Sequence, residues 1–255
     1  MQAKLIELNH KIRVGAVSYL NTKPLLYGIK NSEIMNSIEL IEDYPSKIAE
    51  LLIDNSIDIG LIPVAALLEL PEYFIVGDYC IGSENDVSSV GVFSDVLLNE
   101  IETLYLDYQS KTSVMLVKIL CKKLWNIQPT FIETTAEFSH LIKDKAAGLV
   151  IGDRAFKQKE NSKYYYDLGL AWKQLTELPF VYATWVSNKK LPDNFIEEFN
   201  IANAMYKESI ELISDSEFIY SANVKDYLTN KISYELNEGK RTALKLFLSN
   251  IKDFT

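Results

Sequence analysis

The segment "VGAVSYLNTKPLLYGI", residues 14–29, indicates most clearly how the chain folds. It begins with small and β-branched apolar residues, which predict a short buried β-strand. Ser-Tyr-Leu-Asn-Thr follows, and Pro24 then stands where a helix would begin, a position that tolerates proline. A buried strand that leads through a polar turn into a helix is typical of an α/β protein.

The rest of the chain repeats this pattern. Apolar strand-like runs alternate with helical segments as far as Asn188, and the remaining sequence reads as helical. The alternation predicts an α/β fold with a mostly parallel sheet. Because no Pro/Gly/Ser-rich linker interrupts the 255 residues, we expect two lobes joined by strands. The first lobe would combine residues 1–85 with residues 183–255, and residues 86–182 would form the second.

The net charge of the chain bears on the kind of molecule that it binds. The net charge is −9, with 35 acidic side chains against 26 lysines and arginines, which argues against a nucleic-acid partner. Arginine occurs only at Arg13, Arg154 and Arg241. A protein that grips anions with guanidinium groups usually has more of them. An anionic ligand would therefore be held largely by helix N-termini and hydroxyl groups.

The sequence predicts a cytoplasmic protein without a membrane partner. No apolar run approaches the roughly 18 residues that span a bilayer, and the N-terminus lacks the apolar core of a secretory signal. Cys80 and Cys121 are far apart and indicate neither a disulfide framework nor a zinc site. We expect no metal and no cofactor. The sequence does not distinguish a monomer from a homodimer.

Small polar residues gather where four predicted strands end. Ligands of open α/β sheets bind beyond the carboxyl ends of the strands. Four of these ends read "SYLNT", "GSENDVSS", "LDYQSKTS" and "IGDRA". Their coincidence predicts one polar ligand site. The candidates are Ser18, Tyr19, Asn21, Thr22, Ser88, Ser89, Ser110, Thr112, Ser113, Gly152 and Asp153.

Two of these clusters have a simpler structural explanation as well. One hydroxyl among Ser110, Thr112 and Ser113 is enough to cap the following helix, which contributes about 1 kcal/mol. The helix N-terminus also offers free N–H groups and roughly half a positive charge to an anion. Three hydroxyls exceed the needs of a cap, so the sequence favours an anion site. Asp153 is either an acid/base group or the cap of the next turn, and both interpretations stay open.

Common catalytic motifs are absent from the sequence. It contains no G-x-G-x-x-G, no P-loop, no G-x-S-x-G and no H-E-x-x-H. The chemistry therefore has to come from the polar strand ends or from the ligand itself.

Five blocks resemble, in order, those of the chorismate dehydratases of the futalosine route to menaquinone. They read "VGAVSYLNTKPLLYGI", "DIGLIPVAAL", "LDYQSKTS", "GLVIGDRA" and "DLGLAWKQLTELPFVYATW". The resemblance covers residues 13–185 well and the helical tail only loosely. It implies a two-lobed type II periplasmic-binding-protein-like fold with the ligand in the cleft between the lobes. One departure is Glu177, where family members often have glycine before "LPF", which puts the local turn geometry in doubt.

The resemblance also implies an activity and residue roles. Such a lyase dehydrates chorismate to 3-[(1-carboxyvinyl)oxy]benzoate. Asn21, Ser89 and Asp153 would be catalytic, and the other candidate residues would bind the substrate. The proton acceptor is either Asp153 or the enolpyruvyl carboxylate of the substrate, which Ser88 or Ser89 would orient. We favour the substrate, because a carboxylate ~4 Å from a substrate charge costs about 4 kcal/mol at an effective dielectric constant near 20.

Two other classes of protein compete with the enzyme. A non-catalytic small-carboxylate binding protein of the same fold would be expected to carry an export signal or a lipobox cysteine. A ligand-binding regulator would be expected to carry a helix-turn-helix segment. Neither signal is found in the sequence, which therefore favours the enzyme.

Overall fold

The computed structural model describes residues 11–220 and 222–253. The N-terminal residues 1–10, on which the expectation about a secretory signal rests, lie outside this part of the chain. The described strands form a six-stranded sheet and a five-stranded sheet. The first sheet contains β1 Ile12–Val17, β2 Ile38–Asp43, β3 Ile59–Pro63, β4 Phe74–Ser83, β10 Phe180–Ser187 and β11 Ser233–Glu235. The second contains β5 Val90–Ser94, β6 Thr103–Leu106, β7 Thr130–Glu133, β8 Ala146–Ile151 and β9 Tyr164–Asp167.

Helices connect the strands and form most of the C-terminal part. They are α1 Lys23–Lys30, α2 Pro45–Ile53, α3 Lys111–Leu120, α4 Asp153–Asn161, α5 Leu168–Thr176, α6 Asp193–Ala204, α7 Tyr206–Ser216, α8 Val224–Asp226 and α9 Glu238–Lys252. The π-helical turns Cys121–Trp125 and Tyr227–Lys231 extend α3 and α8. The predicted α/β class is confirmed.

Both sheets are mixed, so the expectation of a mostly parallel sheet was wrong. The strand order is β11-β4-β10-β3-β1-β2 in the first sheet and β7-β6-β8-β5-β9 in the second. β1 is parallel to β2 and β3, but β10 is inserted antiparallel between β3 and β4. The prediction assumed that every strand–helix–strand unit stays in one sheet. Here the chain leaves the first sheet after β4 and returns to it only with β10.

These two crossings suggest how the lobes divide. The chain leaves the first sheet after Ser83 and re-enters it at Phe180. We propose that each sheet and its helices form one lobe. The boundaries expected from the sequence, after residues 85 and 182, stay a prediction.

The opening stretch folds as the pattern predicts. β1 is almost entirely buried, and α1 begins with Lys23-Pro24. Leu25 and Ile29 of this helix are fully buried in the core. Gly28 lets α1 lie against α6, because a Cβ at this position would stand 1.8 Å from the carbonyl oxygen of Ala202. The polar turn at residues 18–22 therefore lies between the C-terminal end of β1 and the start of α1.

One helix that the sequence pattern predicts does not form. The pattern of "EFSHLIKDKA", residues 137–146, predicts a helix, but its only helical part is the 3₁₀ turn Ser139–Leu141. Glu137 accepts the backbone N–H groups of Phe138 and Ser139, a turn typical of a short polar cap, and β8 begins at Ala146.

Glu177 adopts a left-handed conformation at the C-terminus of α5. Its φ is 62°, and its N–H donates to the carbonyl oxygen of Lys173. Glycine is the favoured residue in this conformation because it has no Cβ. Glu177 therefore keeps the turn in place, at a conformational cost that glycine would avoid.

Candidate active site

A small cavity lies between the two sheets, at the strand ends that the sequence singled out. Its volume is about 50 Å³. Six candidate residues line it, namely Tyr19, Asn21, Thr22, Ser110, Ser113 and Gly152. The remaining walls are mostly apolar and consist of Val17, Pro45, Pro63, Ile81, Val87, Val90, Ile151, Tyr182 and Ala183. Polar groups from both sheets thus converge on one space.

The turn after β1 supplies an amide to this cavity. Tyr19 precedes the 3₁₀ turn Leu20–Thr22, and Asn21 is buried with 9% of its surface exposed. The Thr22 hydroxyl, itself fully buried, donates to Asn21 Oδ1 at 3.3 Å. A buried amide held by a neighbouring donor is a preorganised polar group. Asn21 is therefore well placed to bind a polar ligand.

The N-terminus of α3 contributes hydroxyl groups from the second sheet. Ser110 caps the helix, because its Oγ accepts the Ser113 N–H at 3.2 Å and lies 3.1 Å from Ser113 Oγ. Thr112 is not among the residues that line the cavity. Its Oγ1 accepts the N–H of Ala65 at 3.1 Å and so joins the two lobes. Capping therefore accounts for part of this cluster, while Ser110 and Ser113 still face the cavity.

Gly152 is needed where the turn after β8 meets the turn after β1. Its φ is +66°, and a Cβ would stand 2.8–3.0 Å from carbon atoms of the Tyr19 ring. Its N–H donates to the carbonyl oxygen of Ser89 at 2.9 Å. Any side chain here would be strained and would push Tyr19 away. The glycine permits the close approach of the two lobes.

Asp153 connects the lobes next to the cavity. It is the first residue of α4, and its carboxylate accepts the Leu20 N–H at 3.3 and 3.4 Å. Burial raises the pKa of Asp153, and the Leu20 N–H opposes this shift. The carboxylate is thus already hydrogen-bonded across the cleft, and it is not part of the cavity wall.

Three further candidates lie outside the cavity lining. Ser18 is exposed. Ser88 has a φ of 62° and donates its N–H to Asp167 at 2.7 Å. Ser89 is fully buried, and its Oγ accepts the hydroxyl of Tyr227 at 2.8 Å. The structure therefore pairs Ser89 with a residue 138 positions away in the sequence.

A charged network beside the cavity was not predicted. Arg154 Nη2 donates to both carboxylate oxygens of Asp107, at 2.7 and 2.8 Å, and to Gln109 Oε1 at 2.9 Å. The Tyr19 hydroxyl donates to the same Gln109 oxygen. Asp107 also accepts the N–H groups of Gln109 and Ile151. The network ties together the ends of β6 and β8 and reaches across to the first lobe.

Burial and the neighbouring charge shift the pKa values of Asp107 and Arg154 in opposite directions. Burial raises the pKa of Asp107, and the Arg154 guanidinium acts against it. Burial lowers the pKa of Arg154, but the attraction of Asp107 outweighs burial and leaves this pKa above its ordinary value. The charged pair is therefore maintained by mutual attraction in a poorly solvated place. The sequence could have indicated this pair, because Asp107 and Arg154 lie in the quoted strand ends "LDYQ" and "IGDR".

A larger groove lies along the outer side of α3. Its volume is about 740 Å³, and its walls include Lys111, Met115 and Lys118. None of the candidate site residues lines it. Size alone would favour this groove as the ligand site, but the convergence of preorganised polar groups favours the small cavity between the sheets.

Residues 11–220 and 222–253 contain neither a membrane-spanning helix nor a metal-ligand cluster. No helix there is long and apolar enough to cross a membrane. No cluster of three or more histidine, cysteine or acidic side chains with the geometry of a metal site was found among the described residues.

Comparison with solved structures defines the class of fold. A crystal structure of a protein from Archaeoglobus fulgidus is similar with a TM-score of 0.76 and 15% identity, covering 97% of this chain and 99% of that one. A Candida albicans protein described as having the generic periplasmic-binding-protein fold gives a TM-score of 0.63, with 12% identity and coverage of 95% and 90%. The periplasmic aliphatic sulphonate binding protein of Escherichia coli gives 0.61, with 15% identity and coverage of 96% and 86%. The chain therefore has a periplasmic-binding-protein-like fold.

The family follows from the sequence comparison. The family described as menaquinone biosynthesis matches residues 12–253. The chain is a member of this menaquinone biosynthesis family. A curated relative, the chorismate dehydratase of Thermus thermophilus, is 23% identical over 258 residues, which cover 92% of this chain and 93% of the relative.

Proposed function

We propose that this protein dehydrates chorismate to 3-[(1-carboxyvinyl)oxy]benzoate in the cavity between the lobes. The supporting observation is the similarity to the Thermus thermophilus chorismate dehydratase over 92% of the chain. The match to the menaquinone biosynthesis family, residues 12–253, includes all the strand ends around the cavity. We further propose that the reaction is a step of the futalosine route to menaquinone and takes place in the cytoplasm. The enzyme class would be a carbon–oxygen lyase.

The cavity chemistry suits this substrate. Chorismate carries two carboxylates and one secondary hydroxyl. Asn21, Ser110 and Ser113 offer an amide and two hydroxyls, and α3 directs its positive N-terminal end toward the same space. These neutral donors can hold a dianion without bringing a further negative charge to it.

The reaction depends more on the positioning of the substrate than on a strong acid or base in the protein. A proton leaves the ring carbon that bears the enolpyruvyl ether, and the hydroxyl leaves the neighbouring carbon, so that one water is lost and the ring becomes aromatic. The ring carboxylate activates that proton through the conjugated diene. Hydrogen-bond donors fixed around this carboxylate would stabilise the negative charge that develops on it. The elimination is redox-neutral.

Substrate entry requires the lobes to separate. A cavity of about 50 Å³ is far smaller than the roughly 300–1,000 Å³ of typical small-molecule sites. Several hydrogen bonds cross the cleft, including Leu20 N–H to Asp153 and Ala65 N–H to Thr112. We propose that these contacts break when chorismate enters and that most of them form again around it. Closure would exclude water from the reacting atoms.

The test of this function is incubation of the purified protein with chorismate. We expect an aromatic product whose mass is lower than that of chorismate by one water. Binding of chorismate without any such product would support a non-catalytic small-carboxylate binding protein instead.

A prediction about Asp153 separates the two candidates for the proton acceptor. The Asp153 carboxylate is engaged with Leu20 N–H, so we favour the enolpyruvyl carboxylate of the substrate as the base. Asp153→Asn keeps an acceptor for this N–H, and we expect kcat to stay within about tenfold of the wild type, since only a supporting contact changes. The measurement is kcat together with chorismate affinity. Loss of turnover with intact chorismate binding would identify Asp153 as the base.

A further inference from the structure

The side chain of Tyr227 is inserted between the two lobes. Tyr227 opens the π-helical turn Tyr227–Lys231, in the C-terminal part of the chain. Only 2% of its surface is exposed, and its ring packs edge-on against Phe156 of α4, with ring centroids 4.9 Å apart. A residue of the helical tail thus reaches the helix that follows β8 of the second sheet.

The Tyr227 hydroxyl meets two of the candidate catalytic residues. It donates to Ser89 Oγ at 2.8 Å, and Ser89 is fully buried. The Asn21 side chain lies beside the same phenol. Burial raises the pKa of Tyr227, and the neighbouring Ser89 and Asn21 side chains act in the opposite direction. The phenol stays protonated at neutral pH and remains a hydrogen-bond donor.

The direction of the Tyr227–Ser89 hydrogen bond determines whether Ser89 can donate its own proton. A phenol and an aliphatic hydroxyl each carry one proton. Because Tyr227 commits its proton to Ser89 Oγ, the proton of Ser89 remains available for another acceptor. Buried polar networks that are fully satisfied hold their members in one orientation. Tyr227 therefore fixes the orientation of Ser89, and its phenol lies beside the Asn21 amide.

We propose that Tyr227 is a positioning residue for the dehydration, which orients Ser89 and Asn21 toward the substrate when the lobes close. This inference rests on the proposed function. Tyr227 acts through Ser89, whose hydroxyl it holds, and not through a contact of its own with chorismate. Its contribution is to assemble residues from two lobes into one donor set.

The experiment compares Tyr227→Phe with a matched control. The hydroxyl of Tyr234, a residue that is also only 2% exposed, has no hydrogen-bond partner in the described part of the chain. Tyr234→Phe thus removes an equally buried hydroxyl that positions nothing. We expect Tyr227→Phe to lower kcat at least about tenfold and to change KM by less than about threefold, as misplacement of reacting groups does. Tyr234→Phe should leave both constants unchanged.

A double-mutant cycle tests whether Tyr227 acts through Ser89. In a Ser89→Ala background, Tyr227→Phe should have little further effect on kcat, because the group that it positions is already gone. Equal losses of kcat with and without Ser89 would overturn the proposal. A Tyr227→Phe variant with wild-type kcat would overturn it as well. Thermal unfolding of each variant separates these effects from loss of the fold.

A crystal structure of Tyr227→Phe gives a result that does not depend on turnover. We expect the Ser89 and Asn21 side chains to leave the orientations that they have in the wild type. Unchanged orientations would contradict the proposal even if chorismate proved to be the substrate. Failure of the wild type to dehydrate chorismate would instead contradict the proposed function, and the crystal structure would still decide whether Tyr227 positions these residues.

Discussion

Asn21→Ala is expected to lower kcat/KM for chorismate about 100-fold, the usual loss when one preorganised polar contact is removed from an active site. Asn21 is buried, lines the cavity and accepts a hydrogen bond from Thr22. The alanine variant loses the amide without gaining a substitute. The measurement is steady-state formation of the aromatic product.

A surface asparagine provides the control for this prediction. Asn36 is exposed and bonds only Glu33 among the described residues, so Asn36→Ala should leave kcat/KM unchanged. Near-normal activity of Asn21→Ala would remove Asn21 from the proposed site. The melting temperatures of both variants show whether any loss of activity reflects unfolding.

Arg154→Met is expected to destabilise the protein by about 3–5 kcal/mol, the cost of leaving a buried charge without its partner. The Asp107 side chain has no exposed surface, and Arg154 neutralises it. Arg241→Met is the matched control, because Arg241 pairs with Asp78 near the surface and such pairs contribute only about 0–1 kcal/mol. Denaturant unfolding of both variants at neutral pH measures the difference.

The pH dependence of the unfolding free energy and a second substitution give two further tests of the Asp107–Arg154 pair. Burial already raises the pKa of Asp107, and removal of Arg154 removes the charge that opposes burial. The folded variant then binds a proton more tightly than the unfolded chain, so its loss of stability should shrink as the pH falls. Asp107→Asn in the Arg154→Met background should recover much of the stability. A cost below about 1 kcal/mol at neutral pH would contradict the assigned role of the pair.

The sequence was informative where the signal is local. The apolar run of β1 and the proline at the start of α1 predicted the first unit of the fold. The candidate clusters after the strands contain six of the residues that line the cavity. Each of these predictions depends on neighbours within a few positions, which a sequence shows directly.

The sequence could not reveal partners that only the tertiary fold brings together. Thr112 bonds Ala65, 47 positions away, and Tyr227 bonds Ser89, 138 positions away. The same limitation hid the insertion of β10 between β3 and β4, because strand order is not a local property. It also hid β11, whose three residues are too few for a periodic pattern.

A crystal structure of the wild-type protein soaked with chorismate tests most directly whether chorismate is converted between the lobes. We expect an aromatic product between the two sheets, with a carboxylate at the N-terminus of α3 beside Ser110 and Ser113. Asn21 should contact the ring or its substituents. Product bound instead in the larger groove along α3, beside Lys111 and Lys118, would contradict conversion between the lobes.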